Sequence, residues 1–239
     1  MESTNDAKVV RHLVSKLVTH LQLGNLSIHT AGGTEFLMYN KKGQSLGDRL
    51  RRTIQQYLKK DDYIIFVIDS DSSMSMHQRR QEPNSLINQI KRIIGDQSFA
   101  GKAFFAPAVH ELEAWLLIDC LGIFCYFASR RAQYRNNCRD KVSANQSFIR
   151  LLRHYQKGNT EHVVETVVGG NGPKEYLEKF SEQVLLALNP NMPQRNVRRD
   201  RYHERMSPDM AKHIIINQET LRRNNSLRDL GNVLTQASK

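Results

Sequence analysis

One short segment constrains the fold of this chain more than any other. Residues 63–68 read Tyr-Ile-Ile-Phe-Val-Ile, with no polar residue among them. A run of β-branched and aromatic side chains without polar alternation is typical of a strand covered on both faces, as in a parallel sheet. A helical pattern at 84–94 and an extended pattern at 103–109 follow, so the sequence predicts an α/β fold.

The same alternation extends through the first half of the chain, whereas the second half is mostly helical. Segments predicted as helices have apolar residues every three or four positions, and they are 6–23, 46–58, 84–94, 110–120, 146–155, 174–188, 208–213 and 226–235. A short extended segment is predicted at 26–30. A soft boundary near residue 125 separates a core domain, 1–125, from a basic, mostly helical portion, 126–239.

The charge is uneven along the chain. It has 35 Lys and Arg against 24 Asp and Glu, and residues 122–239 hold 20 basic and 11 acidic side chains. A basic field attracts nucleic acid, although an anionic membrane or an acidic protein would also be attracted. The five arginines between Arg195 and Arg205 stand beside Tyr202, and a second stretch mixes arginines with aromatic residues at 126–139. Predicted nucleic-acid contacts are Arg130, Arg131, Arg135, Arg198, Arg199, Arg201 and Arg205.

Other features bear on the compartment. No apolar run reaches the roughly 18 residues that a membrane span needs, so no membrane partner is expected. The N-terminus lacks the basic and apolar regions of a secretion signal. Three cysteines, an odd number without metal-site spacing, suit a reducing compartment. The sequence therefore predicts a cytoplasmic protein.

Acidic residues follow both predicted strands. Asp69 and Asp71 come directly after the first strand, and Glu111 and Glu113 follow the second. Carboxylates at the carboxyl end of a strand can bind a hard divalent cation, although an Asp-rich loop can also merely cap the next element. In a helix that starts at residue 110, the two glutamates would lie about 200° apart, and both could reach one site only if the helix starts late. Glu111 is the favoured ligand, whereas Asp119 is read as a local polar tie.

The start of the chain adds a third acidic element, Glu2 and Asp6 in the spacing E-x-x-x-D. This element, the strand ending in D-x-D, and the further acidic motif together resemble the TOPRIM fold of topoisomerases, DnaG-type primases and nucleases of the OLD (overcoming lysogenization defect) family. The stretch E-L-E-A-W-L-L-I-D at 111–119 resembles the hallmark of a bacterial TOPRIM-like family of unknown function that is often encoded near ATPases in anti-phage loci. Segments between Tyr202 and Leu227 resemble the closing pattern of that family.

This resemblance implies a TOPRIM-like parallel sheet flanked by helices and a nuclease that depends on Mg²⁺ or Mn²⁺. Asp69 and Asp71 would be the principal metal ligands, Glu111 and Glu113 further candidates, and Glu2 an acid/base or metal-bridging residue. The implied activity is cleavage of phosphodiester bonds in DNA or RNA, in anti-phage defence. The alternative is a non-catalytic subunit that binds nucleic acid or an ATPase.

The resemblance also implies a separate ATPase partner, since the family is often encoded near ATPases. The sequence has no P-loop of its own, so the ATPase activity would come from that partner. No hydrophobic strand precedes Glu2 in this sequence, which suits an incomplete site. A partner or self-association, as in a homodimer, would then complete the site.

Overall fold

The computed structural model describes residues 4–24, 26–32, 45–69, 86–109, 112–163 and 172–238. The chain divides into two compact units. The first takes in the chain up to Val109 together with the segment from Ser226, and the second runs from His110 to Asn225. The observed division lies between residues 109 and 110, whereas the sequence predicts a boundary near residue 125. The segment from Ser226, which the sequence predicts as part of the basic portion, belongs to the first unit.

The described residues are mostly helical, with one two-stranded sheet. The strands are β1 (Ile64–Asp69) and β2 (Ala103–Ala108). The helices, numbered in chain order, are α1 (Thr4–Leu21), α2 (Leu46–Tyr57), α3 (Leu86–Ile94), α4 (Leu112–Leu116), α5 (Cys120–Ala128), α6 (Cys138–Ser143), α7 (Gln146–Tyr155), α8 (Pro173–Leu188), α9 (Gln194–Asp200), α10 (Ser207–His213), α11 (Gln218–Leu221) and α12 (Asn225–Ala237). Short 3₁₀ turns are Gln97–Phe99, Leu117–Asp119, Ala132–Tyr134, Thr160–His162 and Glu204–Met206. Within the described segments, no helix is both long and apolar enough to span a bilayer.

The two strands of the first unit run parallel and pair in register over all six residues. Parallel neighbours need a crossover connection, and α3 lies in the segment that joins β1 to β2. The predicted α/β alternation and the two predicted strands are confirmed. The core beside the sheet is formed by Leu50, Ile54, Phe66, Ile68, Ile90, Ile93, Phe99 and Ala103.

The C-terminal helix α12 completes the first unit by packing against α1. A Cβ added at Gly231 of α12 would lie 3.3 Å from Leu21 Cδ1 and 3.7 Å from Leu17 Cδ2, so the missing side chain lets the two helices approach closely. Near the start of α12, the Ser226 hydroxyl accepts a hydrogen bond from the backbone N–H of Val109, at 3.3 Å. The segment from Ser226 therefore belongs to the first unit through both packing and hydrogen bonding.

Seven helical predictions are confirmed, with ends that differ by a few residues or none: α1, α2, α3, α7, α8, α10 and α12. Two other predictions are wrong. Residues 26–30 form no strand. The helix predicted at 110–120 is interrupted, because α4 ends at Leu116 and a 3₁₀ turn separates it from α5. At the end of that turn, Asp119 caps α5 by accepting from the N–H of Gly122.

The second unit has a helical core around Trp115, Phe124, Phe180 and Tyr202, all at most 1 % exposed. A disulfide joins Cys125 of α5 to Cys138 at the start of α6, with their Cα atoms 5.8 Å apart, and Cys120 is free and buried. The sequence analysis, which takes three cysteines as suited to a reducing compartment, does not predict this pair, whose members are 13 residues apart along the chain.

Candidate functional site

The carboxyl edge of the sheet is where the sequence predicts the metal site. Asp69 ends β1 and pairs with Ala108 at the end of β2. Neighbouring strands lie about 4.8 Å apart, so the carboxyl ends of β1 and β2 lie next to each other. The other predicted ligands from this edge, Asp71 and Glu111, lie outside the described residues, as does Glu2. Among the residues that are described, no three His, Cys, Asp or Glu side chains form a metal-binding group.

Glu113, a further predicted ligand, makes a defined contact within the second unit. It lies in the first turn of α4, which starts at Leu112, and its Oε1 accepts a hydrogen bond of 2.5 Å from the Tyr202 hydroxyl. That hydroxyl is also 2.6 Å from Ser207 Oγ, and the backbone N–H of Tyr202 donates to Ser181 Oγ at 2.8 Å. The arrangement uses one oxygen of Glu113 to hold a buried tyrosine.

The electrostatics of this cluster keep the Tyr202 phenol protonated. Burial raises the pKa of Tyr202 well above its usual value, and the charge of Glu113 and the hydrogen bond to it act in the same direction. A protonated phenol donates to a carboxylate, which is the stronger class of hydrogen bond. Glu113 is therefore suited to positioning α4 against the segment that carries Tyr202.

Asp119, the last residue of the E-L-E-A-W-L-L-I-D stretch, is a polar tie, as the sequence predicts, but two of its three partners are distant along the chain rather than local. Its carboxylate accepts from the N–H groups of Gly122 at 3.0 Å and of Ile215 at 2.8 Å, and it forms an ion pair with Arg139. Arg139 also donates to the carbonyl of His213 at 2.9 Å. One carboxylate and one guanidinium thus connect α5, α6 and the residues that follow α10.

The predicted nucleic-acid arginines fall into two groups by their contacts. Arg131 and Arg201 are engaged within the protein: Arg131 donates to the carbonyl of Leu188 at the end of α8, and Arg201 pairs with Glu178 at 3.0 Å and Glu182 at 2.6 Å. The guanidinium of Arg201 therefore serves to anchor the chain after α9 on α8.

The remaining arginines of this set are exposed: Arg130, Arg135, Arg198, Arg199 and Arg205. Arg199 makes two hydrogen bonds to Asp200, at 2.9 and 3.1 Å, while 70 % of its side chain stays exposed. These bonds hold the pKa of Asp200 below its usual value, and the charges of Arg199 and Arg130 lower it further. Arg131, the neighbour of Arg130, contacts the end of α8, the helix to which Arg201 anchors the end of α9, so both basic segments lie against α8.

The aromatic residues of these segments pack against other rings or are buried, and none of their Phe and Tyr side chains is fully exposed. Tyr202 and Phe127 are 1 % and 2 % exposed. Tyr126 lies edge-on to Phe127 and His213, and Tyr134 lies edge-on to Phe148. The basic and aromatic interleaving of the sequence thus has a structural use, in which the rings pack inward and most of the arginines stay exposed.

Sequence reasoning missed two contributors. Ser226 accepts a hydrogen bond from the backbone N–H of Val109 just after β2, and Asp200 accepts two from Arg199. The only sequence signal for Asp200 is its place among the arginines.

Comparison with protein-family models, with curated proteins and with solved structures found no match to this chain.

Proposed function

We propose that the chain is a Mg²⁺-dependent nuclease of the TOPRIM type, which cleaves phosphodiester bonds in DNA or RNA. The observation that supports this most is the register of the sheet, in which Asp69 at the end of β1 lies beside Ala108 at the end of β2. Parallel register makes the D-x-D motif and the acidic motif after β2 extend from neighbouring positions on one edge. That edge is where α/β sheets bind ligands.

The short sequence distances between the acidic residues and the strand ends support the same metal site. Asp71 is two residues past Asp69, and Glu111 is three past Ala108. In the sequence, each of these two acidic residues is therefore only two or three positions from the end of a strand. Carboxylate oxygens are the ligands that Mg²⁺ prefers, so Asp69, Asp71 and Glu111 are the residues that would hold the ion, with Glu2 as a further candidate.

A bound Mg²⁺ at this edge would supply Lewis-acid stabilisation of the scissile phosphate and an activated water. The protein itself supplies a fixed strand end, because β1 and β2 pair along their whole length and are backed by apolar residues of α2 and α3. The excess of basic residues in the second half raises the local concentration of a polyanionic substrate.

The biological setting belongs to the same proposal. The resemblance to a family encoded near ATPases in anti-phage loci, together with the lack of a P-loop in the sequence, supports a cytoplasmic effector under the control of a separate ATPase. Self-association into a homodimer is one way in which the site would be completed.

The experiment is a cleavage assay of this chain on DNA and RNA with Mg²⁺, Mn²⁺ or EDTA, repeated with any ATPase that is encoded beside it. Asp69→Asn and Asp71→Asn should each abolish cleavage without loss of folding. Asp62→Asn is the matched control, because Asp62 is exposed and precedes β1 at the opposite end of the sheet. Cleavage that persists in EDTA, or in either site variant, would contradict the proposal.

A further inference from the structure

The exposed arginines around α9 form one surface built from two distant segments. Arg195, Arg198 and Arg199 are spaced three and four residues apart, so they share one face of the helix. Arg130 adjoins Arg131, whose guanidinium donates to the carbonyl of Leu188 at the end of α8, the helix to which Arg201 anchors the end of α9. The charge of Arg130 also helps to lower the pKa of Asp200. We call Arg130, Arg195, Arg198 and Arg199 the arginine surface.

Helix α9, which carries most of the arginine surface, is held in place by burial and by contacts with α8. Val197 of α9 is fully buried, and Arg201 pairs with Glu178 and Glu182 of α8. The N–H of Tyr202 donates to Ser181 of the same helix, at 2.8 Å. Since the middle of α9 and the residues that follow it are held in this way, the exposed guanidinium groups stand on an ordered support, and binding loses less conformational freedom.

The side chains of the arginine surface indicate which class of ligand it binds. The surface has four exposed guanidinium groups, and one carboxylate, Asp200, is hydrogen-bonded to one of them, Arg199. Such an excess of guanidinium groups matches an array of phosphates. No Phe, Tyr or Trp side chain is exposed within the described ranges; Ile215 is the one large apolar residue exposed there. Proteins that bind single strands gain about 1–3 kcal/mol per base from stacking on aromatic rings. A surface of charges without rings instead depends on phosphate density, which is highest along a duplex, at about one charge per 1.7 Å.

We propose that the arginine surface binds the phosphate backbone of double-stranded nucleic acid, without stacking on bases or reading their sequence. This inference extends the proposed function by naming the class of substrate, a duplex, and it can be tested without cleavage. DNA and RNA duplexes present the same phosphate chemistry, so both are used as probes.

The test is equilibrium binding in EDTA, measured by fluorescence anisotropy across a series of salt concentrations. The probes are a DNA duplex, an RNA duplex and one single strand of the same sequence. The variant replaces Arg130, Arg198 and Arg199 with Gln. The control replaces Arg150, Arg153 and Arg222 with Gln, which removes the same charge from other exposed positions of the second unit.

At least one duplex should bind more tightly than the single strand. For three lost phosphate contacts, the slope of log K against log salt should fall by about 2.7 in the arginine-surface variant. The control should change the slope by much less. Thermal unfolding of both variants should match the wild type, because all six side chains are exposed.

Three results would overturn the inference: tighter binding of the single strand, equal loss of slope in both variants, or binding of polyglutamate as tight as that of the duplex. The last would assign the surface to an acidic protein partner. Asp69→Asn separates this inference from the proposed function, because that variant should bind duplex normally and fail to cleave it. If Asp69→Asn cleaves while the arginine surface behaves as described, only the proposed nuclease site is wrong.

Discussion

Replacing Tyr202 with Phe tests whether Glu113 positions the fold or binds metal. The substitution keeps the buried ring but removes the hydroxyl that contacts Glu113 Oε1 at 2.5 Å and Ser207 Oγ at 2.6 Å. A hydrogen bond to a charged group contributes about 1.5–3 kcal/mol, and a neutral one about 1. Because Glu113 is half-buried and water can replace part of the contact, we expect a loss of about 2 kcal/mol in the free energy of unfolding.

A double-mutant cycle isolates the pair. Glu113→Gln keeps an acceptor for the phenol but loses the charge, so it should lower the free energy of unfolding by about 1 kcal/mol in the wild-type background. In the Tyr202→Phe background, the same substitution should change the free energy of unfolding by close to nothing. The assay is urea unfolding at pH 7, with a shift in the midpoint and an unchanged m-value.

The pH dependence gives a second readout. The pKa of Tyr202 is raised in the folded state, so the unfolded chain loses the phenolic proton first. The stabilisation is therefore complete below about pH 10 and falls as the pH rises further, by up to about 1.4 kcal/mol per pH unit. The difference in stability between wild type and Tyr202→Phe should shrink above pH 10. A Tyr202→Phe protein as stable as wild type, together with a Glu113→Gln protein that loses Mn²⁺ affinity, would refute the positioning role.

Two further predictions concern the second unit. Gly122→Ala should lower the free energy of unfolding by about 1–3 kcal/mol in chemical denaturation, because the new Cβ would lie 2.5 Å from the carbonyl oxygen of His213; a wild-type midpoint would contradict the close approach. Thiol titration of the denatured protein should find one free cysteine before reduction and three after it, since Cys125 and Cys138 are joined; three thiols before reduction would show that the disulfide does not form.

The strands could be predicted because their signal is local. Residues 64–68 are continuously apolar, and burial between helices is the environment that favours such a run. The break after α4 could not be predicted, because Asp119 finds its partners Arg139 and Ile215 far along the chain. Local periodicity continues through 110–120, whereas the tertiary contacts of Asp119 favour a cap and a new helix.

The basic residues were recognised by composition, but their roles depend on neighbours that composition does not reveal. Arg201 and Arg199 are two residues apart, yet Arg201 pairs with two glutamates of α8 and Arg199 stays mostly exposed. Helix α9 itself gave little periodic signal, since Val197 is its only buried residue. Its position comes from Arg201 and Tyr202, whose contacts with α8 are long-range.

The most direct test of the account is whether the carboxyl edge of the sheet binds a divalent cation. Titration of the protein with Mn²⁺, followed by the electron paramagnetic resonance signal of the free ion, measures this without any substrate. We predict that wild type and Asp62→Asn bind Mn²⁺ equally, and that Asp69→Asn and Asp71→Asn each bind at least about tenfold more weakly, a loss of about 1.4 kcal/mol or more. Equal Mn²⁺ affinity in all four proteins would contradict the proposed metal site and the nuclease mechanism that depends on it.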